Sequence, residues 1–474
     1  MKLESVPKER AVSNIEHLEI EKSYWQEIGR RTTSLRESAR QLFSFQNPFN
    51  DRTVTSSDET VLTATAIRDT DEQVRSFMVK QVAGSDRFLS SPLGKDFTVD
   101  AGTYSFSVGN EEISFDFKGG SLKEFTDALN RKGRGIIQSS LIAVKPGTQS
   151  LLIESKKTGE ENSLNFSGAS IALGEKSGMI NYIYNDSEET GTLIPLNAVS
   201  TAQDAIITME GIEIHRSGNE IDDLIPGVTL TVKDVSNRPV RLQIETDREA
   251  VKDSIITMVG NYNRLLAEIN VLTRNDDRVI NELTYLTKDE KDDYKKRLGA
   301  FLGDSTLLQM RNSLMRIISS PYQTSEDQDL ALLAQIGIGT DVRRAGGTNA
   351  SQLRGYLEID EKVLDAAIAS KLPAIKQLFA SDTTGDLLPD SGIAYSLDVL
   401  AKPYVEVGGL FALKTNAMDS RIDQEKRRIV TLDRQLVAKE ADLKKQYGLM
   451  EGAYHRMEQM STSFDRFQQQ NSKQ

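Results

Sequence analysis

Apolar and polar positions fall into two regimes along the chain, and proline separates them. The eleven prolines avoid three stretches, Lys8 to Asn47, Val240 to Ser320 and Tyr404 to the C-terminus. A proline inside a helix costs about 3 kcal/mol, so these are the segments free to form long helices. In the first, Leu18, Glu21, Trp25, Ile28, Thr32, Leu35, Ala39 and Leu42 are spaced alternately by three and four. That spacing puts one apolar seam on a helix, anchored by Trp25, Ile28, Leu35 and Leu42 and ended by Asn47-Pro48. In the last, Ile422, Ile429, Leu436, Leu443, Met450, Met457 and Phe464 recur every seven residues. A strict seven-residue period keeps its seam on a partner only if the helices supercoil. The companion row, Glu425, Leu432, Lys439, Gln446, Ala453 and Met460, is only half apolar, which points to packing on one neighbour rather than to a self-sufficient zipper. Helical from about Leu413 to Phe464, the segment would span roughly 75–80 Å. Its row is read equally well as intramolecular core or as an intermolecular seam. Both hold if it packs on the N-terminal helix and exposes its remainder to neighbouring copies. Helices at both ends would then form one bundle, with the middle of the chain inserted at its far end.

The middle, Thr53 to Leu242, is rich in Ser, Thr and Gly and alternates with period two. Thr103 to Val108, Gly109-Asn110 and Ile113 to Phe117 read as a hairpin. Phe77–Val82, Gln149–Glu154, Ile206–Met209, Ile212–His215, Val228–Lys233 and Val240–Glu245 read as strands, and Ser121 caps a short helix to Asn130. The expected fold class is α+β multidomain: a helical, coiled-coil stem from both termini with two β-rich domains inserted between. The boundaries read as 1–69 for the N-terminal stem helix and the start of a helical domain, 70–92 plus 191–247 for the inner β domain, and 93–190 for an outer one inserted in it. A helical domain at 248–409 and the C-terminal coiled-coil helix at 410–474 complete the set. Within the helical domain, Val251–Leu272, Thr306–Ile318 and Glu361–Phe379 carry helical patterns, the last interrupted at Pro373. The charged stretch Asn275 to Arg297 reads as a surface excursion, and Ser461 to Gln474 as a fraying end.

Composition narrows the function. At 474 residues the chain exceeds one growing core, so two to four domains are expected. Aromatics are only 6%, with Trp25 the single tryptophan, which favours thin cores. A net charge of −12 with interleaved basic residues argues against nucleic acid as partner. No cysteine is present, which excludes disulfides, thiol catalysis and Cys-based zinc sites. No apolar run reaches membrane-span length, and Met1 to Arg10 contain no apolar core of a cleavable signal.

Chemistry is sparse. His17, His215 and His455 lie in different segments without a carboxylate or second histidine at ligand spacing. Neither Gly337-Ile338-Gly339 nor Gly346-Gly347 sits in a strand–helix phosphate loop. Asn275-Asp276-Asp277 and Asp289 to Asp293 lack the register of a calcium loop. No catalytic, cofactor or metal residue is assigned and no cofactor is expected; the chain reads as a non-enzyme.

Several ordered segments carry a family resemblance. Gln203-Asp204-Ala205, Met209 to Ile214 and Ser217-Gly218-Asn219-Glu220-Ile221-Asp222-Asp223-Leu224-Ile225-Pro226-Gly227-Val228-Thr229-Leu230 form its most recognisable stretch. Leu151 to Gly159 precede it, with a strand ending in Ser155-Lys156-Lys157-Thr158-Gly159. Downstream come Asn261-Tyr262-Asn263, Leu333 to Ile338, Gly355 to Asp360, Leu378-Phe379, Gly408-Gly409-Leu410 and Leu443 to Glu451. In this order over about 400 residues, the segments resemble the flagellar hook-associated protein 2 family, the filament cap.

The resemblance implies a structural cap at the flagellar tip that promotes ordered folding and insertion of exported flagellin. It implies a homo-oligomeric ring, with flagellin, hook-filament junction proteins and a C-terminal export chaperone as partners. Export would follow the flagellar type III route, to an extracellular filament or a periplasmic one. Two departures accompany it: about seven residues precede Lys8 where family members carry an additional segment, and the charged 275–297 stretch is longer than expected. Another axial component (flagellin or a junction protein), or an adhesin using its outer domains, is the alternative. The seam residues expected to carry assembly are Ile422, Ile429, Leu436, Leu443, Met450, Met457 and Phe464, with Trp25, Ile28, Leu35 and Leu42 opposite.

Overall fold

A computed structural model describes residues 5–185, 190–283, 286–340, 354–386 and 388–471. It is an α+β multidomain chain with two compact units, residues 1–49 with 248–474, and residues 50–247.

In the first unit the two longest helices occupy the proline-poor ends of the chain. The first helix spans Val6–Gln41 with Pro7 in its opening turn, where the missing N–H is not needed. The terminal helix spans Leu410–Asn471, 62 residues, about 93 Å at the α-helical rise. The stretch from Ser461, expected to fray, belongs to the helix as far as Asn471, and residues 472–474 lie outside the described residues. No proline or glycine interrupts it there, and Ser463 Oγ bonds back to the Gln459 carbonyl at 2.8 Å.

Between these helices lie Arg248–Thr273, Ser305–Ser319, Glu361–Phe379 and Ile393–Val405. The third is interrupted beside Pro373, as its pattern suggests. The helix kinks at Lys371, whose φ is −132°, which relieves the clash the ring would otherwise make. Their shared core includes Ile255, Tyr262, Leu266, Leu314, Phe379 and Leu397, together with Trp25, Ile28, Leu35 and Leu42.

The charged stretch is more than a surface excursion. It folds as Arg278–Asn281 and Lys288–Arg297, and Val279, Ile280, Leu283 and Tyr294 are buried. Its anchor is Glu268, fully buried on Arg248–Thr273. Glu268 accepts from Arg297 at 2.9 Å and lies 3.3 Å from Arg31 of the first helix. A buried carboxylate is tolerable because two guanidinium groups face it.

The second unit holds two hydrophobic cores, one drawn from residues 88–180 and the other from residues 61–79 and 207–244. An antiparallel five-stranded inner sheet runs in the order Arg52–Ser56, Val240–Thr246, Gln73–Gln81, Ala205–Met209, Ile212–Arg216. A three-stranded sheet, Glu220–Ile225, Val228–Val232 and Leu62–Ala66, shares a core with it built on Leu62, Phe77, Val79, Ile207, Leu230 and Leu242. Residues 52–66, expected with the helical part, are therefore inner β structure. The period-two pattern that begins at Thr53 marks these strands better than the expected boundary at residue 69.

The outer domain begins and ends further out than expected, with strands Arg87–Leu89 and Ala198–Ser200 at its base. Its hairpin pairs Thr98–Val108 with Glu111–Ser121 around Gly109-Asn110. Ser121 caps the helix Leu122–Lys132 in a reciprocal box with Glu124. Tyr104, Phe106, Phe115, Phe125 and Phe166 fill its core.

Candidate assembly surface

The seam is built by the two long helices of the first unit, which run antiparallel. Lys22 meets Asp419 at 2.5 Å, Asn14 meets Glu425 at 3.2 Å and Lys8 meets Asp433 at 2.7 Å. Where the helices overlap, Ile422 is buried and Ile429 and Leu436 are half-buried. The expected partners Trp25, Ile28, Leu35 and Leu42 are buried in the core of the helical unit, which also takes in Phe411 and Met418 at the start of the terminal helix. Trp25 stacks on Phe301 at 4.7 Å and lies 5.8 Å from Phe411, with the Lys414 ammonium over its ring. The outermost ion pair, Lys8 with Asp433, lies within a turn of the first helix's start at Val6.

Beyond that level the seven-residue row continues while its cover does not. Leu443 is half-buried, Met450 is 62% exposed and Met457 is 67% exposed. The Phe464 side chain lies outside the described residues. From Lys444 to Ser463 every described residue is exposed, including Tyr447, Leu449, Tyr454 and Met460. Charges on this half are mixed and locally paired, as in Lys444 with Glu440 at 2.8 Å. The Lys444 hydrogen bond holds the Glu440 carboxyl below the usual range. In proteins most helical stability comes from packing of an apolar face rather than from intrinsic propensity. An apolar stripe at heptad spacing becomes stable when a second helix packs on it, each buried side chain contributing roughly 1.5 kcal/mol or more.

Sequence motifs remote from the seam come together by side-chain bonds that periodicity does not signal. Asn263 grips Leu357, accepting its N–H and donating to its carbonyl, both at 2.8 Å. Tyr262, buried beside it, donates to the Gly355 carbonyl at 3.3 Å, and burial pushes its phenol well above the ordinary value. Gln335 accepts from the Ala331 and Leu332 amides and donates to the Asp329 carbonyl. The residue types were visible in the sequence, but their partners are up to 94 residues away.

The chemistry-bearing residues do not converge. His215 sits 3.1 Å from Glu213 on one face of its strand, and His455 lies 3.5 Å from Glu458 one helical turn away. Each histidine thus has a local carboxylate that spacing had not singled out. Among the described residues no group of three His, Cys, Asp or Glu could hold a metal ion. No described helix is long and apolar enough to cross a membrane. Asp276, in the charged stretch, is held at about 2 by its hydrogen bond to Arg278, a structural pairing.

Comparison with known proteins matches this organisation. The family model described as flagellar hook-associated protein 2 N-terminus matches residues 1–86, and the one described as its C-terminus matches residues 202–459. The flagellar hook-associated protein 2 of Treponema maltophilum is 31% identical, over 91% of this chain and 90% of that one. The protein of the same name from Treponema pallidum is 26% identical, over 99% and 96%. Among solved structures, the D1-D2-D3 domains of the flagellar cap protein from Escherichia coli superimpose with a TM-score of 0.55 at 23% identity. That match covers 84% of this chain and 99% of the other, and it shows a shared fold.

Proposed function

Because the chain belongs to the flagellar hook-associated protein 2 family, we propose that it is a structural cap at the tip of the flagellar filament, promoting ordered folding and insertion of exported flagellin. The observation that carries the mechanism is the divided seam. One heptad row is buried at Ile422, half-buried from Ile429 to Leu443, and bare at Met450 and Met457. A subunit of this kind is completed by another helix. Neighbouring copies in a homo-oligomeric ring supply it, and flagellin and hook-filament junction proteins lie next in line.

Before assembly, the same bare face suits an export chaperone, since six or more exposed apolar side chains in a row promote aggregation. Export by the flagellar type III route, to an external or a periplasmic filament, is part of this reading. The absence of cysteine suits a chain that travels unfolded. The role is mechanical rather than catalytic; the shifted acidic groups on the seam and in the charged stretch belong to ion pairs and helix caps.

The test is deletion of the gene. The expected outcome is a strain that sheds unpolymerised flagellin into the medium. Filaments of normal length in the deletion strain would overturn the reading.

A further inference from the structure

The most recognisable segments, Leu151 to Gly159 and Gln203 to Leu230, contribute nothing to the seam. They meet instead inside the β unit, where the outer domain joins the inner one. The chain crosses outward at residues 82–86 and back at residues 200–204, and the two crossings are joined by one antiparallel bridge. In it, Gly84 N–H donates to Gln203 O at 2.9 Å and Gln203 N–H to Gly84 O at 3.2 Å. Two extended segments sharing a single bridge would by themselves act as a hinge.

Side chains close that hinge from three directions. From the inner domain, Asn219 accepts the Ala83 N–H at 2.8 Å and donates to the Ala83 carbonyl at 2.9 Å. At the base of the outer domain, Asp86 is buried. Its carboxylate accepts the Leu164 and Ala202 N–H groups, each at 2.7 Å, so it ties both crossings to an outer strand.

The third contact is a strap, Thr158-Gly159-Glu160, that reaches back from the outer domain. Thr158 Oγ1 donates to the Ser217 carbonyl at 2.6 Å, Gly159 N–H to Gly84 O at 3.0 Å, and Glu160 N–H to Asp204 Oδ1 at 2.8 Å. Gly159 has φ +104°, and a Cβ there would lie 2.4 Å from Ser217 Cβ and 2.7 Å from its Cα. Backbone conformation and space both require glycine at this position.

We propose that these groups form a clasp that fixes the orientation of the outer β domain on the inner one, making the two a single rigid arm. Asp86, Thr158, Gly159, Asp204 and Asn219 are its positioning residues. Each bond to the backbone shifts the balance between closed and open by roughly fivefold. Acting together, they leave the open arm sparsely populated. The clasp stands without the cap reading; only its use, presenting the outer domain at a fixed angle to incoming subunits, rests on that reading.

The cysteine-free chain allows a direct test. Spin labels are attached to the full chain at Asp127→Cys, on the exposed face of the outer helix, and at Gln243→Cys, on the exposed face of the inner sheet. Pulsed dipolar spectroscopy then reads the distance between the domains. The parent is expected to give one narrow distance distribution, and Gly159→Ala to widen it at least about twofold as the arm gains alternative orientations. Thr158→Val with Asp204→Ala provides the same readout without introducing a Cβ, should Gly159→Ala fail to fold. Circular dichroism should be unchanged in the double variant, because neither domain's core is touched. A broad parent distribution, or variant distributions as narrow as the parent's, would overturn the clasp. Flagellin shedding in cells, measured separately, bears on the cap reading alone.

Discussion

Single side chains in this protein act mostly through backbone groups far away in sequence. Asn263 satisfies both polar groups of Leu357, so Asn263→Ala should destabilise the helical unit by about 2 kcal/mol, chiefly from the unpaired amide and carbonyl left behind. Glu268 is held between Arg31 and Arg297. Glu268→Ala leaves two partly buried guanidiniums facing each other and should cost about 3 kcal/mol. Denaturant midpoints at constant slope check both. Equal midpoints for parent and Glu268→Ala would mean the charged stretch is held by Val279, Ile280 and Tyr294 alone. These roles were not legible in the sequence. An asparagine or buried glutamate carries no period, and its partner is fixed only once helices have packed.

At the scale of elements the hydrophobic pattern was more informative. The heptad row located the terminal helix, and the three-four spacing located Trp25, Ile28, Leu35 and Leu42 as buried positions. What period cannot say is how far a partner extends, so the change from covered Ile422 to bare Met457 emerges only with the antiparallel overlap. The short strands at 52–56 and 62–66 lie within the period-two pattern that begins at Thr53, which marks them better than the boundary at residue 69. The few apolar residues of 275–297 were masked by their charged neighbours. The divided row gives a paired prediction. Ile422→Asp places an unpaired charge against the first helix and should cost at least about 3 kcal/mol in monomer stability. Met457→Asp should change it by less than about 0.5 kcal/mol. Thermal unfolding of the two variants decides; comparable losses would mean the distal face is covered within the monomer.

For the whole molecule, assembly should depend on residues that monomer stability ignores. A subunit whose terminal helix is half covered has a defined place for a neighbour, and copies related by a closed rotation would occupy it without leaving a free face. Sedimentation velocity on the full chain and on the Met450→Asp, Met457→Asp double variant at equal concentration shows whether the bare stripe holds the oligomer together. The parent should sediment as a discrete oligomer, and the double variant as a monomer with unchanged helicity. A double variant that assembles like the parent would contradict that role for the stripe.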